Sequence, residues 1–295
     1  MRVFLTGGTG YIGSAVLAAL RARGHEVASL SRSPEQDATV RALRGTPVRG
    51  DLASLSSLGT SLEAYDALVH LAQDYKLGPA ADRNAIETLL GAARRSGAPR
   101  SVVYTSGVWV LGETRGPTDE DGSTERPFPA VAWRPQLERD ALGAATPELA
   151  VAVVRPGIVW GERRGLFQPM LDSAAREAAR YVGSGDGRWP PIHREDLADL
   201  YRRIAEGRAR GIYHGVDGSS PRVADLARAI AEAAGKKGAT RSVPLEEARK
   251  AYGAMADAIA GVQVVVSRRS AELGWAPRKP RFPEAAALAW AEWKG

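Results

Sequence analysis

Three evenly spaced glycines, directly behind the first apolar segment of the chain, constrain the fold more than any other feature. The apolar residues 3–5 predict a short buried strand. Gly7, Gly10 and Gly13 follow it, and an apolar pattern with helical spacing comes next. Between a strand and a helix, such glycines allow a tight turn, the approach of a pyrophosphate to the backbone, and close packing of the helix. The stretch therefore predicts a dinucleotide site at the helix N-terminus, with a flexible turn as the alternative.

The residue that closes the second predicted strand bears on the chemical form of the dinucleotide. Residues 25–30 predict this strand, and Arg32 follows it with no carboxylate before Glu35. A carboxylate here binds the ribose 2′-hydroxyl, whereas an arginine accommodates a 2′-phosphate. We therefore predict NADP(H) in preference to NAD(H), with an arginine in a surface loop as the alternative. Farther along, Asp51 is predicted to accept a hydrogen bond from the adenine, to cap a helix that starts at Ser54, or to do both.

The composition excludes several kinds of partner and site. The chain has 295 residues, 44% hydrophobic and 25% charged, as expected of a globular protein with a large core. Its net charge of +6 comes from scattered arginines, so we predict no nucleic-acid partner and no membrane partner. The absence of cysteine excludes disulfides and thiolate ligands, and four dispersed histidines predict no metal site. No signal peptide or membrane-spanning run is recognisable, which predicts a cytoplasmic protein.

Short apolar runs alternate with helical patterns through the first half of the chain. This alternation predicts an α/β fold with a doubly wound Rossmann parallel sheet that is covered on both faces. We assign residues 1–160 to this dinucleotide-binding domain, and residues 161–295 to a smaller, mainly helical substrate-binding lobe that is interleaved with the sheet. Further strands are predicted at residues 46–49, 67–72, 101–106, 150–155 and 211–215, and helices at residues 80–96, 130–145, 166–180, 194–206, 223–234 and 245–260.

Several short motifs occur in an order and spacing that resemble one enzyme family. They lie at residues 6–13 (TGGTGYIG), 51–52 (DL), 69–72 (VHLA), 104–106 (YTS), 155–161 (RPGIVWG), 192–196 (IHRED) and 273–277 (LGWAP), with a helix asparagine at Asn84. Together they resemble an extended or atypical short-chain dehydrogenase/reductase, close to the NAD-dependent epimerase/dehydratase group. The resemblance implies a small-molecule substrate, and a homodimer formed through the helices at residues 80–96 and 130–145.

The resemblance also implies which residues contact the cofactor. The pyrophosphate would lie on the glycine turn, the adenine beside Asp51, and the nicotinamide beside the ends of the fifth and sixth strands. The implied contacts are Gly7, Thr9, Gly10, Tyr11, Ile12, Gly13, Arg32, Asp51, Leu52, Leu71, Ala72, Gln73, Thr105, Pro156, Gly157, Ile158 and Val159. Trp109, Trp133 and Trp160 map near the nicotinamide, which predicts a flat or apolar pocket, with core packing as the alternative.

The catalytic residues that this family uses are missing or displaced here. Family members use a tyrosine whose pKa is lowered by a lysine four residues farther along one helix, and no tyrosine of this chain has such a lysine. On the helix that the resemblance assigns to this pair, Leu137 takes the place of the lysine if Trp133 takes that of the tyrosine. An indole N–H donates a hydrogen bond but does not titrate near neutrality. The orienting serine of the family falls on Gly107, with Ser106 one residue earlier.

Other residues remain candidates for acid–base chemistry. Tyr75 and Lys76 follow the fourth strand at the ligand-binding edge, with a solvated loop as the alternative. Ser106 is the remaining hydroxyl near the nicotinamide. Histidine in general suits a proton shuttle, but the place of His193 at a helix start favours a structural role. Asp196 is predicted to cap that helix.

Two functions from different classes stay open. One is an NADP(H)-dependent oxidoreductase or epimerase-like enzyme that lacks the usual tyrosine–lysine pair and acts on a small molecule, with the cofactor supplying the chemistry. The other is a catalytically inactive NADP(H)-binding protein that acts as a redox sensor or regulator. The loss of the usual catalytic residues permits the second function, whereas the intact floor of the site favours the first.

Overall fold

A sheet of seven parallel strands forms the centre of the computed structural model, which describes residues 1–74, 76–162 and 164–295. The strands of the chain are β1 (Arg2–Thr6), β2 (Glu26–Ser31), β3 (Thr46–Arg49), β4 (Ala67–His70), β5 (Arg100–Thr105), β6 (Leu149–Pro156), β7 (Ile158–Trp160), β8 (Ala179–Val182), β9 (Pro191–His193), β10 (Gly211–Gly215) and β11 (Thr240–Val243). The order across the central sheet is β10-β6-β5-β4-β1-β2-β3. The strand order therefore reverses between β1 and β4, the place where sheets of this kind bind ligands at their carboxyl edge.

Helices cover both faces of the central sheet. The α-helices of the described chain are α1 (Tyr11–Ala22), α2 (Pro34–Ala42), α3 (Pro79–Arg95), α4 (Arg134–Gly143), α5 (Gln168–Arg176), α6 (Arg194–Gly207), α7 (Val223–Ala233), α8 (Leu245–Tyr252), α9 (Met255–Ala260), α10 (Arg269–Glu272) and α11 (Ala286–Lys294). Successive residues of a strand face opposite sides of the sheet. Val3 and Leu5 of β1 therefore pack with α1 and α6, whereas Phe4 packs with α3 and α4.

A second, smaller core lies in the part of the chain that follows β6. Strand β7 pairs with β9 and β8 pairs with β11, and α5, α7, α8, α9 and α11 pack around them. Residues 194–215 return to the central sheet, because α6 packs on α1 and β10 pairs with β6, with Gly211 beside Ala152. The division of the chain between residues 160 and 161 stays a prediction.

The parallel sheet confirms the predicted fold class, but two predicted helices were wrong in extent. The helix predicted at residues 130–145 begins only at Arg134, because Pro135 fits the first turn of a helix and not its interior. The helix predicted at residues 245–260 is two helices, broken at Gly253, whose φ of +56° lies in the left-handed region. Within the described ranges, no helix is long and apolar enough to cross a membrane.

Candidate functional site

The glycine turn after β1 is shaped by two close approaches of the backbone. Gly7 has a φ of +74°, and a Cβ there would lie 2.7 Å from the amide nitrogen of Ala72. A Cβ on Gly13 would lie 2.0 Å from the carbonyl oxygen of Gly7, so only glycine fits at both positions. Helix α1 begins after Gly10 without a side-chain cap. The N–H groups of its first turn are therefore left for an anion, which fits the pyrophosphate of a dinucleotide.

Two cavities lie side by side along the carboxyl edge of the central sheet. One, of about 250 Å³, surrounds Arg32, and the other, of about 260 Å³, surrounds Ser106; we call them the Arg32 cavity and the Ser106 cavity. They share a wall formed by Leu71, Ala72 and Gln73, directly after β4. An extended ligand of two parts can therefore lie across both cavities, at the point where the strand order reverses.

The Arg32 cavity combines two arginines with two carboxylates. The predicted cofactor contacts on its wall are Gly7, Thr9, Gly10, Arg32, Asp51 and Leu52. The Arg32 side chain is 61% exposed and lies 3.6 Å from Asp74, and Arg164 reaches the same cavity from the second lobe. Oδ1 of Asp51 accepts hydrogen bonds from the amide and the hydroxyl of Ser54, both at 2.8 Å, which lower the pKa of Asp51. Asp51 therefore closes the turn ahead of the 3-10 helix Leu55–Ala64, whose own N-cap is Ser54, and its contact with the adenine stays a prediction.

The Ser106 cavity carries few polar groups in a largely apolar wall. Ser106 is 9% exposed, and its hydroxyl has no hydrogen-bond partner among the described residues. The predicted cofactor contacts on this wall are Ile12, Thr105, Pro156, Gly157, Ile158 and Val159. Trp109, Leu166 and Met255 add apolar surface. A cavity of this kind binds a mostly apolar ligand and orients it through a few polar contacts.

Helix α4 presents Arg134 to the Ser106 cavity, and not Trp133 or Leu137 as predicted. Leu137 is fully buried in the apolar core between the helix and the sheet, because the inner face of an amphipathic helix carries its apolar residues. The Trp133 ring lies 4.6 Å from the guanidinium carbon of Arg134 and is not part of the cavity wall. Arg134 Nη1 donates to the carbonyl oxygen of Thr105 at 2.7 Å and to the hydroxyl of Tyr104 at 3.2 Å. The predicted placement of Trp133 and Leu137 against the site is therefore corrected.

A buried chain of hydrogen bonds extends from Arg134 to the glycine turn. The Tyr104 hydroxyl donates to Asp82 Oδ2 at 3.0 Å, and His70 Nε2 lies 3.0 Å from Asp82 Oδ1. Thr6 Oγ1 completes the chain at 2.7 Å from His70 Nδ1. Burial by itself raises the pKa of Asp82, but the hydrogen bonds from His70 and Tyr104 and the charge of Arg134 outweigh it and lower the pKa. Burial raises the pKa of Tyr104, which therefore remains a neutral phenol.

Comparison with models of known protein families identifies the family of this chain. The model of the NAD dependent epimerase/dehydratase family matches residues 3–214. The chain belongs to this family. The predicted resemblance to extended or atypical short-chain dehydrogenases/reductases is thereby confirmed.

Relatives of this epimerase/dehydratase family member match it over most of its length. The uncharacterised protein YLL056C of Saccharomyces cerevisiae is 31% identical over 291 residues, which are 95% of this chain and 95% of that protein. The 4-hydroxy-2-methyl-3-oxo-4-farnesyl-3,4-dihydroquinoline-1-oxide ketoreductase of Stigmatella aurantiaca is 32% identical over 264 residues, which are 85% of this chain and 78% of that protein. The solved structure of human epimerase family protein SDR39U1 with NADPH has a TM-score of 0.82 and 27% identity, and the match covers 99% of each chain. These relatives place the chain in the general class of oxidoreductases, epimerases and dehydratases.

Lys76 and His193, two further predicted catalytic residues that the structure describes, do not line the Ser106 cavity. His193 is buried and caps α6, because its Nδ1 accepts a hydrogen bond from the amide of Glu195 at 3.2 Å. Its Nε2 lies 3.1 Å from the carboxylate of Glu292. Lys76 is an exposed loop residue on the wall of neither edge cavity. Tyr75 lies outside the described residues.

Two further residues lie elsewhere than predicted. Asp196 does not cap α6 but lies in its first turn, since His193 occupies the cap, and its Oδ2 accepts a hydrogen bond from the amide of Lys279 at 2.9 Å. Trp160 is fully buried and packs its ring 5.4 Å from that of Phe282. For Trp160 the structure thus favours the core-packing alternative over a place in the pocket wall.

Tyr11 and Gly13 lie on the wall of neither edge cavity. The Tyr11 hydroxyl donates to the carbonyl oxygen of Gly161 at 2.6 Å and so joins the start of α1 to the segment after β7. What these two residues offer a cofactor is their backbone at the helix start, and not a side chain.

Sequence reasoning missed Arg134, Asp82 and Arg164, although two of them had a signal. Pro135 indicates the first turn of a helix, so the helix begins at Arg134 and not one turn earlier. Arg134 therefore lies at the edge of the sheet. Asp82 shares one helix face with the apolar Ile86, and a carboxylate on a buried face needs a partner. Arg164 had no such signal, because it lies between elements.

Proposed function

We propose that the chain is an NADP(H)-dependent oxidoreductase that reduces a carbonyl group of a small, largely apolar molecule, or catalyses the reverse oxidation. One observation carries the proposal. The unpartnered hydroxyl of Ser106 and the guanidinium of Arg134 line the same cavity as residues 156–159, the predicted nicotinamide contacts. Two hydrogen-bonding groups therefore face the space in which a substrate oxygen would lie beside the cofactor.

The carboxyl edge of the sheet suits a dinucleotide in two respects. The first turn of α1 offers N–H groups to a pyrophosphate, and the two edge cavities offer room on either side of it. When bound, the nicotinamide supplies or accepts a hydride, while the protein orients the reacting groups. The side chains that we assign to this task are those of Ile12 and Thr105, with the backbone of residues 156–159.

The preference for NADP(H) is supported by the charges of the Arg32 cavity. Arg32 and Arg164 both line it, and the only contact of the Arg32 guanidinium with a described carboxylate is 3.6 Å from Asp74. An arginine with free donors binds a 2′-phosphate through charge-assisted hydrogen bonds. The human relative solved with NADPH is consistent with this preference.

Arg134 is the residue that we assign to the substrate oxygen. Its Nη1 is occupied by Thr105 and Tyr104, whereas its Nε and Nη2 have no hydrogen-bond partner in the described part of the chain. Asp82 lies 3.9 Å from Nη1 and balances the charge of the guanidinium, so the site suits a neutral carbonyl group better than a carboxylate. Buried N–H donors stabilise the negative charge that develops on such an oxygen. Arginine does not release its proton near neutrality, so we assign the proton that the oxygen takes up to water.

A second function, NADP(H) binding without turnover, is favoured by one observation. Arg134 donates to the Tyr104 hydroxyl, and Tyr201 donates to the Thr105 hydroxyl at 2.8 Å, so both phenols contact residues of the cavity wall. Burial raises the pKa of both. Neither phenol is therefore ready to exchange a proton near neutrality, and a sensor of NADP(H) needs no such group.

Incubation with NADPH and a panel of ketones, aldehydes and imines distinguishes these functions. We expect loss of NADPH absorbance with a ketone class, and a loss of kcat/KM on the order of 100-fold in Arg134→Met. Arg139→Met is the matched control, because Arg139 is an exposed residue of the same helix, and it should keep the activity. An epimerised product without net consumption of NADPH would indicate an epimerase-like reaction instead.

Calorimetric titration with NADPH completes the experiment. Tight binding of NADPH without turnover of any substrate class would contradict the proposed oxidoreductase and support the second function, NADP(H) binding without turnover. No binding of NADPH or NADH would contradict both functions.

A further inference from the structure

A third cavity, larger than the two at the sheet edge, lies in the second lobe. Its volume is about 560 Å³, within the range typical of small-molecule sites. Its wall is built from α5, α8 and the paired strands β8 and β11, with Trp189 on its apolar side, and we call it the Trp189 cavity. None of the predicted cofactor contacts lines this cavity.

One face of the β8–β11 pair presents two kinds of side chain to the Trp189 cavity. Arg180 lies in register with Arg241, and Val182 lies in register with Val243; all four line the cavity. Residues two apart on a strand share one face. The wall therefore changes along the strands from an exposed arginine pair to a more buried valine pair.

The arginine pair has no counterion among the residues that the structure describes. Neither Arg180 nor Arg241 forms an ion pair with a described carboxylate, although Glu177 and Glu247 also border the cavity. Neighbouring strands lie about 5 Å apart, so the two side chains start close together, and like charges at such positions repel. An anion bound between them would offset this repulsion.

The mouth of the Trp189 cavity exposes one large, mostly apolar side chain. Tyr252, at the end of α8, lines the cavity and is 39% exposed. Leu77 is the only other large apolar side chain that is exposed in the described part of the chain. An apolar side chain kept in water beside an apolar cavity favours an apolar ligand.

The Trp189 cavity and the Ser106 cavity adjoin each other. Leu166 lines both of them. On α9, Met255 lines the Ser106 cavity, and Ile259, one turn farther along the same helix face, lines the Trp189 cavity. A single elongated molecule that occupied both cavities would therefore lie along Leu166 and this face of α9.

We propose that the Trp189 cavity is the distal part of the substrate site and holds the apolar chain of an amphipathic carboxylate. The carboxylate lies at Arg180 and Arg241, the chain lies along the valine pair and Trp189, and its far end passes Leu166 into the Ser106 cavity. The inference rests on the proposed function, because that function places the reacting carbonyl group in the Ser106 cavity.

Calorimetric titration with three ligands of equal chain length tests the inference without any turnover. Dodecanoate, dodecanol and dodecyltrimethylammonium share one apolar chain and differ in the charge of the head group. We expect dodecanoate to bind on the order of tenfold more tightly than dodecanol, because two arginines face its head group, and we expect the cation not to bind. Equal binding of dodecanoate and dodecanol would overturn the assignment of the carboxylate to the arginine pair.

Variants of the arginine pair locate the head group. Arg180→Gln/Arg241→Gln should lower the affinity for dodecanoate to that for dodecanol. Arg180→Glu/Arg241→Glu should reverse the preference in favour of the cation. The matched control is Arg41→Gln/Arg228→Gln, which removes two exposed helix arginines outside the cavity and should change neither affinity. An effect of the control as large as that of the cavity variant would overturn the assignment.

Quenching by bromine locates the far end of the chain, because bromine quenches a tryptophan only on contact. Carboxylates of increasing length, each brominated on its last carbon, should first quench Trp189 and, when longer, Trp109 of the Ser106 cavity. Trp189→Phe and Trp109→Phe identify the two contributions. Quenching of Trp189 alone at every length would overturn the connection between the cavities. An NADPH titration of the same samples tests the proposed function separately: normal NADPH binding without dodecanoate binding overturns only this inference.

Discussion

Arg134 and Arg32 both lie at the carboxyl edge of the sheet, but their surroundings give them different roles. Arg134 is buried, and its guanidinium is held by Thr105, Tyr104 and the ring of Trp133. Arg32 is mostly exposed and has one distant carboxylate. A guanidinium fixed by hydrogen bonds acts through its geometry, and lysine therefore replaces such an arginine poorly. An exposed guanidinium acts mainly through its charge.

The preference for NADP(H) is a prediction about Arg32. In Arg32→Ala we expect the affinity for NADP⁺ to fall by about tenfold or more and the affinity for NAD⁺ to stay unchanged, because only the 2′-phosphate loses a charge-assisted hydrogen bond. Calorimetric titration with both nucleotides measures this. Arg41→Ala is the control, since Arg41 is exposed on α2 and does not line the Arg32 cavity. Equal affinities of the parent protein for the two nucleotides would contradict the prediction.

Helix α4 illustrates what the sequence can predict about an element and what it cannot. Strands β1, β4 and β5 were recognisable because each is a short apolar run at a glycine or polar boundary. The existence of α4 was recognisable as well, but its contact with the site depends on its first residue. A start at residue 130 would bring Trp133 to the edge, whereas the observed start at Arg134 brings the guanidinium there and buries Leu137.

The same reasoning explains which parts of the site could not be predicted from the sequence. Residues of the glycine turn could be assigned because their roles are roles of the backbone, which the motif specifies. The chain from Thr6 to Arg134 joins residues that are far apart in sequence, and only the packing of α3 and α4 on the sheet brings them together. Periodicity predicts which face of a helix is buried but not which buried groups meet.

The position of Leu137 gives a prediction at the scale of this element. Leu137→Lys would place an ammonium in the apolar core, and we expect the free energy of unfolding to fall by about 3 kcal/mol or more. Gln136→Lys, at the adjacent exposed position, is the matched control and should change it by less than about 0.5 kcal/mol. Urea denaturation measures both. If Leu137→Lys were as stable as the parent protein, the observed orientation of α4 would be wrong.

At the scale of the whole molecule, His214 joins segments from three parts of the chain. Its amide donates to Glu120 Oε1 at 3.2 Å, and its Nδ1 donates to the carbonyl oxygen of Val266 at 3.0 Å. Arg155 Nη1 donates to its Nε2 at 3.5 Å. Burial lowers the pKa of His214 to about 4; the charge of Glu120 opposes this shift and that of Arg155 adds to it. The folded chain therefore keeps His214 neutral.

The neutral state of His214 predicts a loss of stability in mild acid. In the unfolded chain the pKa of a histidine is about 6.5, so the unfolded state binds a proton at a pH where the folded state does not. The stability contributed by this group is complete above about pH 6.5 and falls as the pH drops toward 4, by about 2 kcal/mol at about pH 5. His214→Asn, which keeps a donor but does not titrate, should lose less stability between neutral pH and about pH 5. Urea denaturation at both pH values measures this, and an equal fall in the two proteins would contradict it.

The oligomeric state stays a prediction, and the apolar residues of one helix in the predicted dimer interface are buried within a single copy of the protein. Ile86, Leu89 and Leu90, which form an apolar stripe on the helix predicted at residues 80–96, are buried in the core between α3 and the sheet. They are not free to contact a second copy. Light scattering at micromolar concentration measures the mass, and a dimeric mass would require an interface built from other residues.

The chain of hydrogen bonds behind the Ser106 cavity has a consequence for how sequences of this kind diverge. The links converge on Asp82: Tyr104 donates to one carboxylate oxygen and His70 donates to the other. Arg134 donates to the hydroxyl of Tyr104, and the hydroxyl of Thr6 shares a hydrogen bond with the second ring nitrogen of His70. Replacing one member alone by an apolar residue leaves a buried partner unsatisfied. Related sequences should therefore vary at these five positions jointly, and a sequence with an apolar residue in place of Asp82 should carry neither the histidine nor the arginine.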